Sequence, residues 1–184
     1  MAQQKRVETN INIENARIGF RNFSGKEGQY NPQGNRNFVV FLDDIPLAKN
    51  LEEEGWNIRW LTPREDDEQE QPILPVKVAF GAYPPKIMLV NTNGVATRLK
   101  EEDLNILDWA DIKKVDLTIR PYNYDVRGKT GVKAYLKVAY ITIQADPWES
   151  KYEFANSPDS AQNIVCESGY ELIDGVCRLV REED

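Results

Sequence analysis

Two stretches in the second half of the chain alternate apolar and polar residues with a period of two, the mark of strands with one buried face. In residues 115–124, Val115, Leu117 and Ile119 hold the odd positions. In residues 132–138, Val132, Ala134, Leu136 and Val138 hold the even ones. The turn-forming run Arg127-Gly128-Lys129-Thr130 lies between them, so the pattern predicts a hairpin over 115–143. Closing it with Val126 opposite Gly131 sets Tyr124 against Lys133, Tyr122 against Tyr135 and Arg120 against Lys137. All six then point away from Leu117, Ile119, Leu136 and Val138. A one-residue slip would scatter the set over both faces.

The same reading covers the rest of the chain. Residues 11–20 form a first strand whose apolar phase switches from Ile11 and Ile13 to Ala16, Ile18 and Phe20, which predicts a bulge near Asn15. Residues 22–34 are a polar, glycine-bearing loop that contains Phe23, Lys26 and Tyr30. A second strand follows over 35–42. Asp44 as N-cap, Pro46 in the first turn and Gly55 past the end bracket a short helix with Leu47 and Leu51 on one face. Residues 56–61 form a strand with Trp56, Ile58 and Trp60 on its core side and Arg59 opposite. Residues 63–72 are an acidic loop. Strands are predicted over 74–80 and 86–90, a turn over 91–94, and a short helix around Leu104 and Leu107. Alternation ends after Asp146-Pro147. Residues 150–163 read as a linker, and residues 166–177, with Asp174-Gly175 between short apolar runs, as a small hairpin.

About seven short strands and two short helices make a mainly β protein. A small antiparallel barrel of OB type fits, with residues 1–148 as the domain and 149–184 as a C-terminal extension. A β-sandwich fits the element count nearly as well. At 184 residues, with 41% hydrophobic and 29% charged residues, the chain suits one ordinary domain with an appendage. No apolar run reaches membrane-spanning length, and the start is polar rather than signal-like, so a cytoplasmic protein is expected.

Charge and absent residues narrow the chemistry. There is no histidine, which removes the commonest general base and metal ligand. Cys166 and Cys177 form no C-x-x-C pair, and no phosphate-cradling glycine motif occurs. In a reducing compartment the two thiols are expected to stay free. The acidic runs at 65–70 and 101–103 lack the rigid scaffold that metal-assisted catalysis needs. No enzyme, no cofactor and no metal is therefore expected.

The net charge of −7 disfavours a nucleic-acid partner until its distribution is considered. Residues 113–137 carry seven cations (Lys113, Lys114, Arg120, Arg127, Lys129, Lys133, Lys137) against Asp116 and Asp125, a local +5. Residues 17–36 carry Arg17, Arg21, Lys26 and Arg36 against Glu27, a local +3. Binding responds to the local field rather than to the sum. Rings beside cations are what a single-stranded nucleic acid needs, because bases stack and phosphates are neutralised. The candidate contacts are Arg21, Phe23, Lys26, Tyr30, Arg36, Arg59, Arg120, Tyr122, Tyr124, Arg127, Lys129, Lys133, Tyr135 and Lys137. The competing reading is a solvated sheet surface, with lysines guarding an edge, on a protein that binds other proteins or mimics DNA through its acidic faces.

The run Asn15-Ala16-Arg17-Ile18-Gly19-Phe20-Arg21-Asn22-Phe23-Ser24-Gly25-Lys26-Glu27-Gly28-Gln29-Tyr30-Asn31, continued by Gly34-Asn35-Arg36-Asn37-Phe38, resembles a family of small tailed-bacteriophage proteins. So do Gly55-Trp56-Asn57-Ile58-Arg59-Trp60, Ile106-Leu107-Asp108-Trp109, and residues 115–124 with 131–140. The family is that of phage single-stranded DNA-binding proteins with an OB-like fold, and the likeness spans roughly residues 11–146. It implies a protein that holds unwound DNA in replication or recombination, inside the infected bacterial host. Acidic tails in such proteins recruit partners, so the end Glu182-Glu183-Asp184 is the expected contact for phage or host replication proteins. Homo-oligomerisation is left open.

Overall fold

The computed structural model describes residues 6–63, 69–144, 170–173 and 176–179. It divides into two compact units, Met1–Gln144 and Ala145–Asp184. In the first, the order is β1 (Ile11–Ile13), β2 (Arg17–Asn22), β3 (Arg36–Phe41), α1 (Ile45–Glu53), β4 (Arg59–Leu61), β5 (Gln71–Val78), β6 (Lys86–Val90), β7 (Ala96–Arg98), a 3-10 helix (Glu101–Asp108), β8 (Ile112–Val126) and β9 (Lys129–Ile143). The second holds β10 (Tyr170–Ile173) and β11 (Val176–Leu179), paired antiparallel. The expected linker over 150–163 and Cys166 lie outside the described residues.

Local signals explain where several elements start and stop. The break between β1 and β2 falls at Asn15, in left-handed backbone (φ 50°), whose N–H donates to Asp116 Oδ1 at 2.9 Å. Asp44 caps α1 by accepting from the Leu47 amide at 3.0 Å, and Gly55 ends the helix region with φ 97°. The buried stripe of α1 is Ala48 and Leu51, not Leu47 and Leu51; Leu47 is exposed. The 101–108 turn is 3-10 and inserts Leu104 and Leu107 fully into the core.

The sheet runs β1-β8-β9-β5-β3-β2, with β4 on β5 and β6 bridging β9 and β7. It is mainly β, curled and open, an OB-like half-barrel. Most neighbours are antiparallel, as alternation and short turns predict. The exceptions are β9 with β5 and β9 with β6, which are parallel. Strand β9 is long enough to fork: residues 134–135 meet β5, and residues 138–142 meet β6. Trp56 adds a bridge to Val132. The inner face carries Phe38, Val40, Leu74, Val76, Ile119, Ala134, Leu136 and Ile141, all buried in one apolar cluster.

The hairpin register departs from expectation. Its turn is the two residues Arg127 (φ 52°) and Gly128 (φ 77°), so Val126 pairs with Lys129. Positive φ at both positions defines the tight turn whose twist matches that of paired strands. Tyr124 therefore faces Gly131, Tyr122 faces Lys133 and Arg120 faces Tyr135. The shift is two residues, and a period-two structure keeps every side chain on its face. A bulge between Thr118 and Ile119 pairs Ile119 with Leu136 and Thr118 with Val138, leaving Lys137 without an opposite residue. Beyond it the phase of β9 inverts. Ala139 and Ile141 go inside, and Val138 joins the outer face instead of the core.

Candidate nucleic-acid interface

The outer face of β8 and β9 gathers the aromatic and cationic groups. Arg120 lies over Tyr135, its guanidinium carbon 4.9 Å from the ring centroid, and 5.5 Å from that of Tyr83. Its Nε is buried without a hydrogen-bond partner among the described residues. The rings of Tyr122 and Tyr135 meet at 5.4 Å with a 52° tilt, although the two residues are diagonal rather than opposite. Tyr122 keeps 49% of its surface exposed. Tyr124 lies across Gly131, where a Cβ would stand 2.5 Å from its hydroxyl, and it donates to Asn57 Oδ1 at 3.2 Å. The Lys133 ammonium sits 5.1 Å from the Tyr124 ring. Lys137 is exposed at the bulge, and Arg127 and Lys129 are exposed at the tip.

The β-ladder extends this face. Lys77 of β5 pairs with Tyr135, and its neighbours Val76 and Val78 are buried, so Lys77 points outward beside the tyrosine. Lys86 of β6 pairs with Val138 and donates to the Tyr140 hydroxyl at 3.2 Å. Among the described residues, none of Lys77, Lys86, Arg120 and Lys133 forms an ion pair with a carboxylate. Lys86, Arg120 and Lys133 rest on rings rather than on acids, and Lys77 is exposed. At the other end of β8, Lys114 and Asp116 pair at 2.9 Å. The Asn15 amide and then Lys114 hold the Asp116 carboxyl below its ordinary range, and Asp116 raises Lys114 above its own.

The loop residues divide. Phe23 is only 1% exposed and stacks on Phe38 at 5.1 Å, so it is a core residue and shows no ring to solvent. Arg21 donates from Nη1 to the carbonyls of Leu107 and Ala110, at 3.0 and 2.8 Å. Arg36 is half-buried, 2.8 Å from Glu101 and over Phe80. Lys26 is exposed and lies 5.4 Å from the ring of Trp109. Tyr30 is exposed on the loop, and Arg59 on β4 opposite Ile73. Lys77, Tyr83, Lys86, Trp109 and Tyr140 were not among the expected contacts. Alternation of Lys77 with Val76 and Val78 signals an outward lysine, but its place beside Tyr135 depends on a parallel pairing that no local pattern encodes.

The sequence model described as "Putative phage ssDNA-binding domain" matches residues 1–183. The chain belongs to the phage single-stranded DNA-binding domain family. Membership carries the function with it: the chain binds single-stranded DNA. No curated protein matches by sequence. Among solved structures, the single-stranded DNA-binding protein of bacteriophage Enc34, in complex with ssDNA, aligns with a TM-score of 0.50 at 11% identity, over 78% of this chain and 96% of that one. It agrees with the phage domain in fold. A C-terminal truncation of the Enc34 protein aligns with a TM-score of 0.49 at 11% identity, over 80% of this chain and 99% of that one. The single-stranded DNA-binding protein gp2.5 of bacteriophage T7 gives 0.38 at 12% identity, over 90% and 99%.

Proposed function

We propose that this phage domain holds unwound DNA on the outer face of β8, β9 and β5, with little sequence preference. Bases stack on Tyr122 and Tyr135, and phosphates meet Arg120, Lys133 and Lys77. The observation that carries this reading is the Arg120–Tyr135–Tyr122 cluster, a guanidinium that has no carboxylate partner among the described residues and lies between rings on the face opposite the core. Stacking accepts any base, because every base has a π-face. Lys129, Arg127, Lys137, Tyr124 and Arg59 border the path, and Lys26 and Tyr30 approach it from the loop. Arg21, Phe23 and Arg36 support the scaffold instead.

The protein acts without chemistry of its own, in replication or recombination, in the cytoplasm of the infected host. Residues 1–148 do the binding. The acidic end Glu182-Glu183-Asp184 is the contact for phage or host replication proteins, and self-association would extend coverage along a strand.

Fluorescence anisotropy with labelled oligo-dT of about thirty nucleotides, long enough for more than one footprint of this fold class, tests the reading. Titration at low and moderate salt, beside a duplex control, is expected to show micromolar or tighter single-strand binding that weakens with salt. Alanine at Tyr122 or Tyr135 is expected to cost ~1–3 kcal/mol. Equal affinity for duplex, or binding indifferent to both tyrosines, would refute this face.

A further inference from the structure

The strand register sets one row of side chains across the sheet. Arg120, Tyr135, Lys77, Asn37 and Asn22 stand opposite one another on β8, β9, β5, β3 and β2. Four strand spacings of about 4.8 Å carry this row ~19 Å across the sheet. At its far end, Asn22 holds the loop. The Lys26 amide donates to Asn22 Oδ1 and Asn22 Nδ2 donates to the Lys26 carbonyl, both at 2.9 Å. That contact carries the row to Lys26, whose ammonium lies beside the Trp109 indole.

Trp109 is 80% exposed, yet its backbone is clamped. Arg21 bonds the carbonyls of Leu107 and Ala110 on either side of it. Asp108 accepts from the amides of Phe23 and Ser24, at 2.6 and 3.1 Å. Leu107 is anchored in the core. A large ring left 80% exposed buries little apolar area for folding, and holding it on so fixed a backbone serves presentation of the ring. With a cation beside it, the ring has the makeup of a base-stacking platform.

We propose that Trp109 with Lys26 is a second stacking station, and that one DNA strand crosses the sheet from the Tyr122–Tyr135 cluster, past Lys77, to reach it. The inference rests on the face proposed above and adds its far end. A strand of a few nucleotides fills the tyrosine cluster alone; a longer one engages both.

The test compares oligo-dT of about five and about sixteen nucleotides, spanning the footprints known for this fold class, on the full chain. Trp109→Ala is expected to leave the short oligonucleotide unchanged and to weaken the long one about tenfold, the scale of one lost stacked base. Trp109→Phe should restore most of that loss. Tryptophan quenching by saturating long oligonucleotide should be lost in Trp109→Ala. Tyr135→Ala should weaken both lengths. If Trp109→Ala binds both lengths like wild type while Tyr135→Ala weakens both, the second station is overturned and the tyrosine face stands. If Trp109→Ala weakens both lengths equally, a separate station is likewise overturned. If Tyr135→Ala changes neither, the underlying face is wrong.

Discussion

The cations of the hairpin and those beside the 22–34 loop look alike in sequence and differ in what holds them. Arg21 is bound to two backbone carbonyls, and Arg36 to a carboxylate. Among the described residues, Arg120 and Lys133 rest only on aromatic rings. The first pair are tied to backbone and carboxylate partners, while on the proposed reading the second meet phosphate. The aromatic residues divide the same way, with Phe23 stacked in the core and Tyr122 half in solvent. A residue type therefore does not distinguish scaffold from contact surface; its partners do.

The sharpest way to break this contrast is Phe23→Ala. Loss of a buried ring is expected to cost about 3–5 kcal/mol in urea unfolding. A variant of wild-type stability with weakened DNA binding would instead make Phe23 a contact. Next, Arg21→Ala should cost about 1.5–3 kcal/mol, because it strips a charged donor from two carbonyls. Arg120→Ala should leave unfolding nearly unchanged while weakening DNA binding. Equal destabilisation of the two would erase the distinction.

A smaller effect sharpens it further. Lys133→Ala should flatten the dependence of log affinity on log salt by about 0.7, the share of one single-strand phosphate contact. An unchanged slope would remove Lys133 from the phosphate path. The smallest effect concerns the Asn15 break. Asp116 is ionised more readily in the folded chain, so its contribution is present above the ordinary aspartate range and fades as pH falls through its lowered pKa. Lys114 is raised, so its share is present at neutral pH and fades only as pH climbs past its ordinary value of 10.5. Both groups face solvent, so the effect is local. The Asn15 amide shift in NMR should titrate with a midpoint below the usual aspartate range, and should not do so in Asp116→Asn. A normal midpoint would argue against the contact.

The alternation of 115–124 and 132–138 located β8 and β9, and its period protected the face when the register moved by two. Asp44, Pro46 and Gly55 marked α1 because capping is local chemistry. The rest depended on distant partners. Lys77 meets Tyr135 only through a parallel pairing, and Phe23 is buried only because Phe38 receives it. The bulge that displaces Lys137 falls between the stretches of β9 that meet β5 and β6, a position that only the tertiary pairing defines. Trp109 lies in a run that resembles the family, but the bonds that fix its backbone, from Arg21 and to Asp108, join it to residues more than eighty positions away.

The forked pairing of β9 also predicts an order of assembly for the fold. The β8–β9 hairpin closes through a two-residue turn, at small cost in chain entropy. Docking of β5, β3 and β1 joins segments many tens of residues apart, and topologies of that kind form slowly. Substitutions at Ile119 and Leu136 are accordingly expected to slow refolding more than those at Leu74 and Val76; the reverse order in φ-values would place the nucleus in the β3–β5 pair instead. On this route Arg120, Tyr122, Lys133 and Tyr135 come together while much of the barrel is still unmade, and Lys77 and the loop asparagines join them last.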